Sequence, residues 1–324
     1  MEKASRRIRF LIAAFVVTAL LLAPVHGQLS PNFYANTCPS VFTTVNSAVS
    51  SALNSDSRAG AKLLRLFFHD CFCLGCDASI LLDDTPTFQG EQSAGPNAGS
   101  IGGLDIIDNI KTSLETSCPG TVSCADIIAI AARDGVALAG GPNWNVEVGR
   151  RDSLAASLSQ ANNLPGPQLT ASQLISAFQA KGLNTNDLVA LSGAHTFGKA
   201  QCSRFQSRLV NFQNTGAPDP SMDPTFRTSL QSTCPTASST LVDLDQGTPL
   251  TFDAQYYQNL LINRGLMTSD QTLATSGQTS GLVNSFTSQS AFFNQFTASM
   301  LKMGRIGVLT GNQGEIRTQC GSTN

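Results

Sequence analysis

The sequence predicts an all-α fold, and three observations carry that expectation. Apolar residues recur at helical spacing in one segment after another, those segments open on Ser, Thr or Asn, and strand-like alternation is scarce. A chain of 324 residues with 41% hydrophobic composition is long enough to bury a large core, as one compact unit or two closely packed lobes. No internal repeat breaks the pattern.

Taken in order, the first element is a leader. Lys3, Arg6, Arg7 and Arg9 precede an apolar run from Phe10 to Ala23, which is shorter than the roughly 20 residues of a membrane span and ends at Pro24 and Gly27. This predicts a secretory signal peptide over residues 1–27 and a mature chain over 28–324, with Gln28 placed to close to pyrrolidone carboxylic acid. Removing the leader takes four of the 20 basic residues and one of the 22 acidic ones, leaving 16 against 21. No basic stripe remains for phosphates, so nucleic-acid binding is excluded as an expectation, as is stable membrane association.

The helices follow. "VFTTVNSAVSSAL" puts Val41, Val45, Ala48, Val49 and Ala52 on one face, and "SCADIIAIAARDGVALAGG" runs from a serine cap at Ser123 to a double-glycine stop. "TASQLISAFQAKG", "NTNDLVALSG" and "FTSQSAFFNQFTASMLKMG" repeat the pattern, the first two closed by glycine. A small hairpin is expected near Trp144–Val148. The long irregular segments 83–103, 140–167, 216–223 and 234–249 are where loops of functional length would lie.

Nine cysteines, at 38, 71, 73, 76, 118, 124, 202, 234 and 320, suit an oxidising compartment. Eight can form four bridges in many connectivities, and one is left over. Their density is too low to replace a core.

His26 lies in the leader, so the mature chain has two histidines, His69 and His195. In "RLFFHD", Arg65 and His69 stand at i,i+4 and share a helix face; in "LSGAHTFG", His195 follows a glycine expected to end a helix. A lone histidine is more often a packed residue than a ligand. Catalytic zinc wants three protein ligands, which the spacing does not provide. A haem needs only one imidazole from the protein, since the macrocycle supplies four ligands. Acyl transfer is disfavoured because no G-x-S-x-G elbow occurs, while glycoside hydrolysis by two carboxylates stays open.

Oxygen donors cluster after each histidine. Asp70, Gly75, Asp77 and Ser79 follow His69 on a tight turn, and Thr196 follows His195 while "VDLDQGTPLTFD" brings Asp245, Thr248, the Thr251 carbonyl and Asp253. Hard cations such as Ca²⁺ take six to eight such oxygens. The EF-hand pattern is absent, and ordinary turn hydrogen bonds are the competing explanation.

"RLFFHDCF", "GCDASILLDD", "GPNAGSIGGLDIID", "VSCADIIAIAARD", "VGRRDS", "DLVALSGAHTFGKAQC" and "FDAQYYQNLL…GLMTSDQ" closely resemble the plant secretory, class III, haem peroxidases over essentially all of Gln28–Cys320. The resemblance implies a two-lobed all-α fold with haem b between distal and proximal lobes, two structural Ca²⁺ ions and the disulfides Cys38–Cys118, Cys71–Cys76, Cys124–Cys320 and Cys202–Cys234. It implies reduction of H₂O₂ with one-electron oxidation of small phenolic donors in a monomeric enzyme, and with only four residues after Cys320 the extracellular space or cell wall is expected rather than the vacuole. His195 matches the haem ligand and Asp270 its carboxylate partner. Arg65, Phe68 and His69 match the distal trio, with Asn97 orienting the imidazole and Glu91 behind it.

Arg58, Ser100 and Gln201 match positions near the haem propionates, and Pro165 the aromatic-donor entrance. The distal ion would take Asp70, the carbonyls of Cys73 and Gly75, Asp77 and Ser79; the proximal ion would take Thr196, Asp245, Thr248, the Thr251 carbonyl and Asp253. Two positions depart from the family pattern: Cys73 replaces an apolar residue and is the odd cysteine, and Gly102 stands where an arginine is usual. No N-x-[ST] acceptor occurs, "NTC" at Asn36 being atypical, so the chain is expected to lack N-linked glycan.

Overall fold

The computed structural model describes residues 29–324, so the leader and Gln28 lie outside the described residues. The all-α expectation holds. In chain order the α-helices are α1 (Val41–Ser55), α2 (Ala59–Phe72), α3 (Leu104–Ser117), α4 (Cys124–Leu138), α5 (Leu158–Ala161), α6 (Ala171–Ala180), α7 (Thr185–Ser192), α8 (Gln206–Val210), α9 (Pro224–Thr233), α10 (Gln255–Leu261), α11 (Thr268–Thr275), α12 (Ser280–Ser285) and α13 (Gln289–Met303). Strands β1 (Lys199–Gln201) and β2 (Leu241–Asp243) pair antiparallel, with Ala200 opposite Val242. Among the described residues no helix is long and apolar enough to cross a membrane.

The predicted faces are the buried ones. Val41, Val45 and Val49 turn one side of α1 inward. Ser123 caps α4, accepting from the Asp126 amide, while the Asp152 carboxylate accepts from the Cys124 and Ala125 amides at 3.1 and 2.9 Å. A carboxylate there balances the positive end of the helix. Asn184 and Asp187 form a reciprocal cap on α7.

Helices α2 and α4 approach closely because glycine meets glycine: a Cβ on Gly60 would lie 2.8 Å from the Gly135 carbonyl oxygen. That contact seats α2 directly against the buried helix α4. Leu63, Leu66, Ile127, Ile128, Phe252, Phe292 and Phe296 belong to the main core, each such side chain worth about 1.5–3 kcal/mol on burial. A smaller core gathers Phe205, Leu209, Met222, Phe226 and Leu230 around the Cys202–Cys234 bridge. The four disulfides are Cys38–Cys118, Cys71–Cys76, Cys124–Cys320 and Cys202–Cys234, and Cys73 is free and buried.

One local expectation is corrected. Residues 144–148 form no hairpin: Val148 bridges Ser30 of the N-terminal turn, donating and accepting at 3.2 and 2.9 Å. The alternating burial of Trp144, Val146 and Val148 is real, but the pairing partner is distant in sequence. Gly193 ends α7 as expected, standing just past Ser192; its backbone stays right-handed and leads into a 3₁₀ turn, Gly193–Thr196, and it is glycine because a Cβ would meet the Tyr257 hydroxyl at 2.3 Å. Gly102 lies against Lys62, whose Cδ would be 3.1 Å from a Cβ there, so a side chain at that position needs the lysine stem to yield by a few tenths of an ångström.

Candidate active site

The last two turns of α2 carry Arg65, Phe68 and His69. His69 is buried, with Nδ1 hydrogen-bonded to Asn97 Oδ1. Asn97 is oriented in turn, because its Nδ2 donates to the Glu91 carbonyl at 2.8 Å. With its amide nitrogen so used, Asn97 presents oxygen to the imidazole, which places the proton on Nδ1 and leaves Nε2 as the basic atom. Glu91 is held by the Ser157 amide at 3.0 Å.

Burial, then the charge of Arg65, push the His69 pKa down to about 3. The ring is therefore neutral at ordinary pH. Arg65 donates to the Ser100 and Pro96 carbonyls at 2.7 and 2.9 Å and to Ser100 Oγ at 3.2 Å. Burial, then the neighbouring Arg204, lower its pKa to about 10, so it keeps its charge.

His195 stands on the 3₁₀ turn after α7, and its Nδ1 lies 2.7 Å from Asp270 Oδ1. Asp270 occupies the first turn of α11, where its Oδ2 accepts from the Met267 amide at 3.0 Å and its Oδ1 also accepts from the Tyr256 hydroxyl at 3.1 Å. Burial opposes charge on both partners, yet their mutual attraction prevails: the His195 pKa is raised and that of Asp270 lowered. The His195 side chain is 40% exposed while Asp270 is buried. Nε2 of each histidine has no hydrogen-bond partner among the described residues.

Of the remaining predicted positions, Ser100 joins Arg65 and Gln201 Nε2 donates to the Gly99 carbonyl at 3.3 Å, linking β1 to the Arg65 segment. Arg58 is engaged elsewhere, forming a two-pronged pair with Asp56 at 2.9 and 3.0 Å. The Pro165 loop is anchored on α11, where the Ser269 amide donates to the Pro167 carbonyl at 3.0 Å, and on Arg204, whose carbonyl accepts from Gln168 Nε2 at 3.3 Å. The Pro165 carbonyl has no backbone donor.

Sequence reasoning passed over Arg204, Tyr256 and Lys181. Tyr256 stood inside a quoted motif, "FDAQYYQNLL", but nothing in its spacing pointed to Asp270. Arg204 and Lys181 carried no local signal.

The two oxygen clusters assemble as well. Around Asp70, the atoms Asp70 Oδ1, Ser79 Oγ and Glu91 Oε2 are buried without a partner. Burial, then Asp77 and Glu91, raise the Asp70 pKa, which is the signature of buried carboxylates packed close together. Gly75 fits only as glycine, since a Cβ would meet the Gly307 carbonyl oxygen at 2.4 Å. The Cys73 carbonyl already accepts from Lys181 Nζ at 2.8 Å and keeps a second lone pair.

In the other cluster, Thr196 Oγ1 reaches Asp253 Oδ1 at 3.1 Å and Asp245 Oδ2 at 3.5 Å, and Thr248 Oγ1 reaches Asp245 Oδ2 at 3.4 Å. Among the described residues no group of three or more His, Cys, Asp or Glu could hold a metal ion. Hydroxyl and carbonyl oxygens dominate both clusters, a donor set that fits a hard cation and not zinc.

The residues also fit a haem. One imidazole has a free Nε2 and a carboxylate partner behind it, the charge of Arg65 acts on it, and α2 supplies that cationic arginine and a neutral histidine next to the Phe68 and Phe72 rings, which pack at 4.4 Å. Comparison with known proteins agrees with this chemistry. The peroxidase family model matches residues 45–289. Peroxidase 4 of Vitis vinifera is 52% identical over 99% of this chain and 100% of its own length, and peroxidase P7 of Brassica rapa subsp. rapa is 52% identical over 92% and 100%. Peroxidase 2 of Oryza sativa subsp. japonica is 50% identical over 95% and 96%. With this likeness along nearly its whole length, the chain belongs to the plant secretory, class III, peroxidase family.

Proposed function

We propose that His195 holds haem b and that His69 and Arg65 activate peroxide on the opposite side, between a distal lobe bearing α2 and a proximal lobe bearing α7 and α11. As a member of its family the chain is a haem peroxidase: one H₂O₂ is reduced to two waters while two phenolic donors each lose an electron and a proton to become phenoxyl radicals. The observation that carries the residue assignment is the matched pair of imidazoles, each fixed through Nδ1 and each with a free Nε2.

Haem b, when bound, supplies the redox chemistry. His69 Nε2 takes the proton from one peroxide oxygen and returns it to the departing one, a transfer suited to a base that is neutral at working pH. Asn97 keeps the imidazole in the required tautomer. Arg65, clamped by the Ser100 and Pro96 carbonyls, stabilises the charge that develops as the O–O bond breaks. Asp270 draws on the Nδ1 proton of His195 and so makes that imidazole the stronger donor.

Ser100 and Gln201 would face the propionates, and Arg58 would join them only by leaving Asp56. Pro165, with its open carbonyl, would receive phenols at the haem edge. Asp70, Asp77, Ser79 and the Cys73 and Gly75 carbonyls suit one Ca²⁺, and Thr196, Asp245, Thr248, Asp253 and the Thr251 carbonyl suit a second. The leader and the family's habit support a secreted monomer of the extracellular space or cell wall.

Haem retention tests the assignment. His195→Ala should lose haem on gel filtration while His69→Ala keeps it; equal retention by both variants would refute the ligand assignment.

A further inference from the structure

We propose that Tyr256 is a positioning residue that limits how strongly Asp270 draws on His195, and so sets the donor strength of that imidazole toward the haem iron. The inference rests on His195 being the ligand. Its basis is a shared oxygen: Asp270 Oδ1 receives His195 Nδ1 at 2.7 Å and the Tyr256 hydroxyl at 3.1 Å. Oδ2 is taken by the Met267 amide at 3.0 Å, so the carboxylate serves three donors. Tyr256 is buried in α10, its ring edge-on to His195 at 6.3 Å and to Tyr257 at 5.0 Å. Its neighbour's hydroxyl goes elsewhere, to the Val189 carbonyl at 2.9 Å.

Each hydrogen bond donated to a carboxylate spreads its charge and weakens it as an acceptor for the others. A phenol is a donor at neutral pH, and here it competes with the imidazole for one atom. Groups behind a metal ligand tune the metal through this kind of competition. A merely structural hydroxyl, satisfied by the nearest acceptor, would affect stability and leave the iron unchanged.

The test uses the haem-loaded, calcium-loaded enzyme. Tyr256→Phe keeps the ring and deletes only the donor, so the Fe³⁺/Fe²⁺ midpoint potential should fall and the Fe–His stretching frequency of the ferrous form should rise, with haem content unchanged. Asp270→Asn should shift both in the opposite direction, and adding Tyr256→Phe to it should produce no further shift. Should Tyr256→Phe fail to fold, 3,5-difluorotyrosine placed at 256 strengthens the donor instead and should raise the potential. A Tyr256→Phe enzyme with wild-type potential and stretch, or one that shifts the Asp270→Asn enzyme by the full single-variant amount, would overturn the inference. Absence of an Fe–His band in the wild type would overturn the ligand assignment together with it.

Discussion

His69 and His195 are the same side chain in opposite settings. His69 leans on a neutral amide beside a cation, and His195 leans on a buried carboxylate. The first arrangement yields a base that is free of its second proton, because burial and Arg65 hold its pKa near 3. Since the neutral form is lost only as pH falls through that value, stopped-flow rates of reaction with H₂O₂ should stay level from neutral pH down to within a unit of it and then decline; a midpoint near the ordinary histidine range would contradict this. Cys73 is the residue-scale departure. It is 2% exposed, and burial, then Glu91, raise its thiol pKa, so it should resist thiol reagents until the protein is denatured. Cys73→Val should keep activity and the Cys71–Cys76 bridge, which peptide mapping without reduction would read directly; a dominant bridge to Cys73 in active protein would refute the account.

Among the elements, α2 matters most, because its position against α4 aims Arg65 and His69. Gly60→Ala would press a methyl onto the Gly135 backbone, which neither helix can relieve by a rotamer change. It should cost about 1–3 kcal/mol in denaturant titrations and slow the peroxide reaction as His69 shifts; unchanged stability would show that the helices part freely. The helices themselves were legible, since Val41, Val45 and Val49 or the Ser123 cap signal through local periodicity. The pairing of residues 144–148 was not, because strand-like burial says nothing of a partner as remote as Ser30. Asp270 and Asn97 lie 75 and 28 residues from their histidines, so only resemblance to known motifs joined them. Tyr256 had neither periodicity nor a motif role to expose it.

At the scale of the whole molecule, each oxygen cluster begins at the residue after a histidine, Asp70 after His69 and Thr196 after His195. Partnerless oxygens around Asp70 imply that the cluster relaxes when no cation balances it. Chelation should therefore remove bound Ca²⁺, shift the haem absorbance and lower turnover, while the four disulfides and the core keep the helical circular dichroism. An unchanged haem spectrum in metal-free protein would break that link. The central claim is the division of labour between the two histidines, with proton transfer on one side and haem attachment on the other. Its most direct test is the single-turnover rate of haem-loaded His69→Ala with H₂O₂. The account predicts a loss of about 10²–10⁴-fold with haem content intact, and a wild-type rate would contradict it.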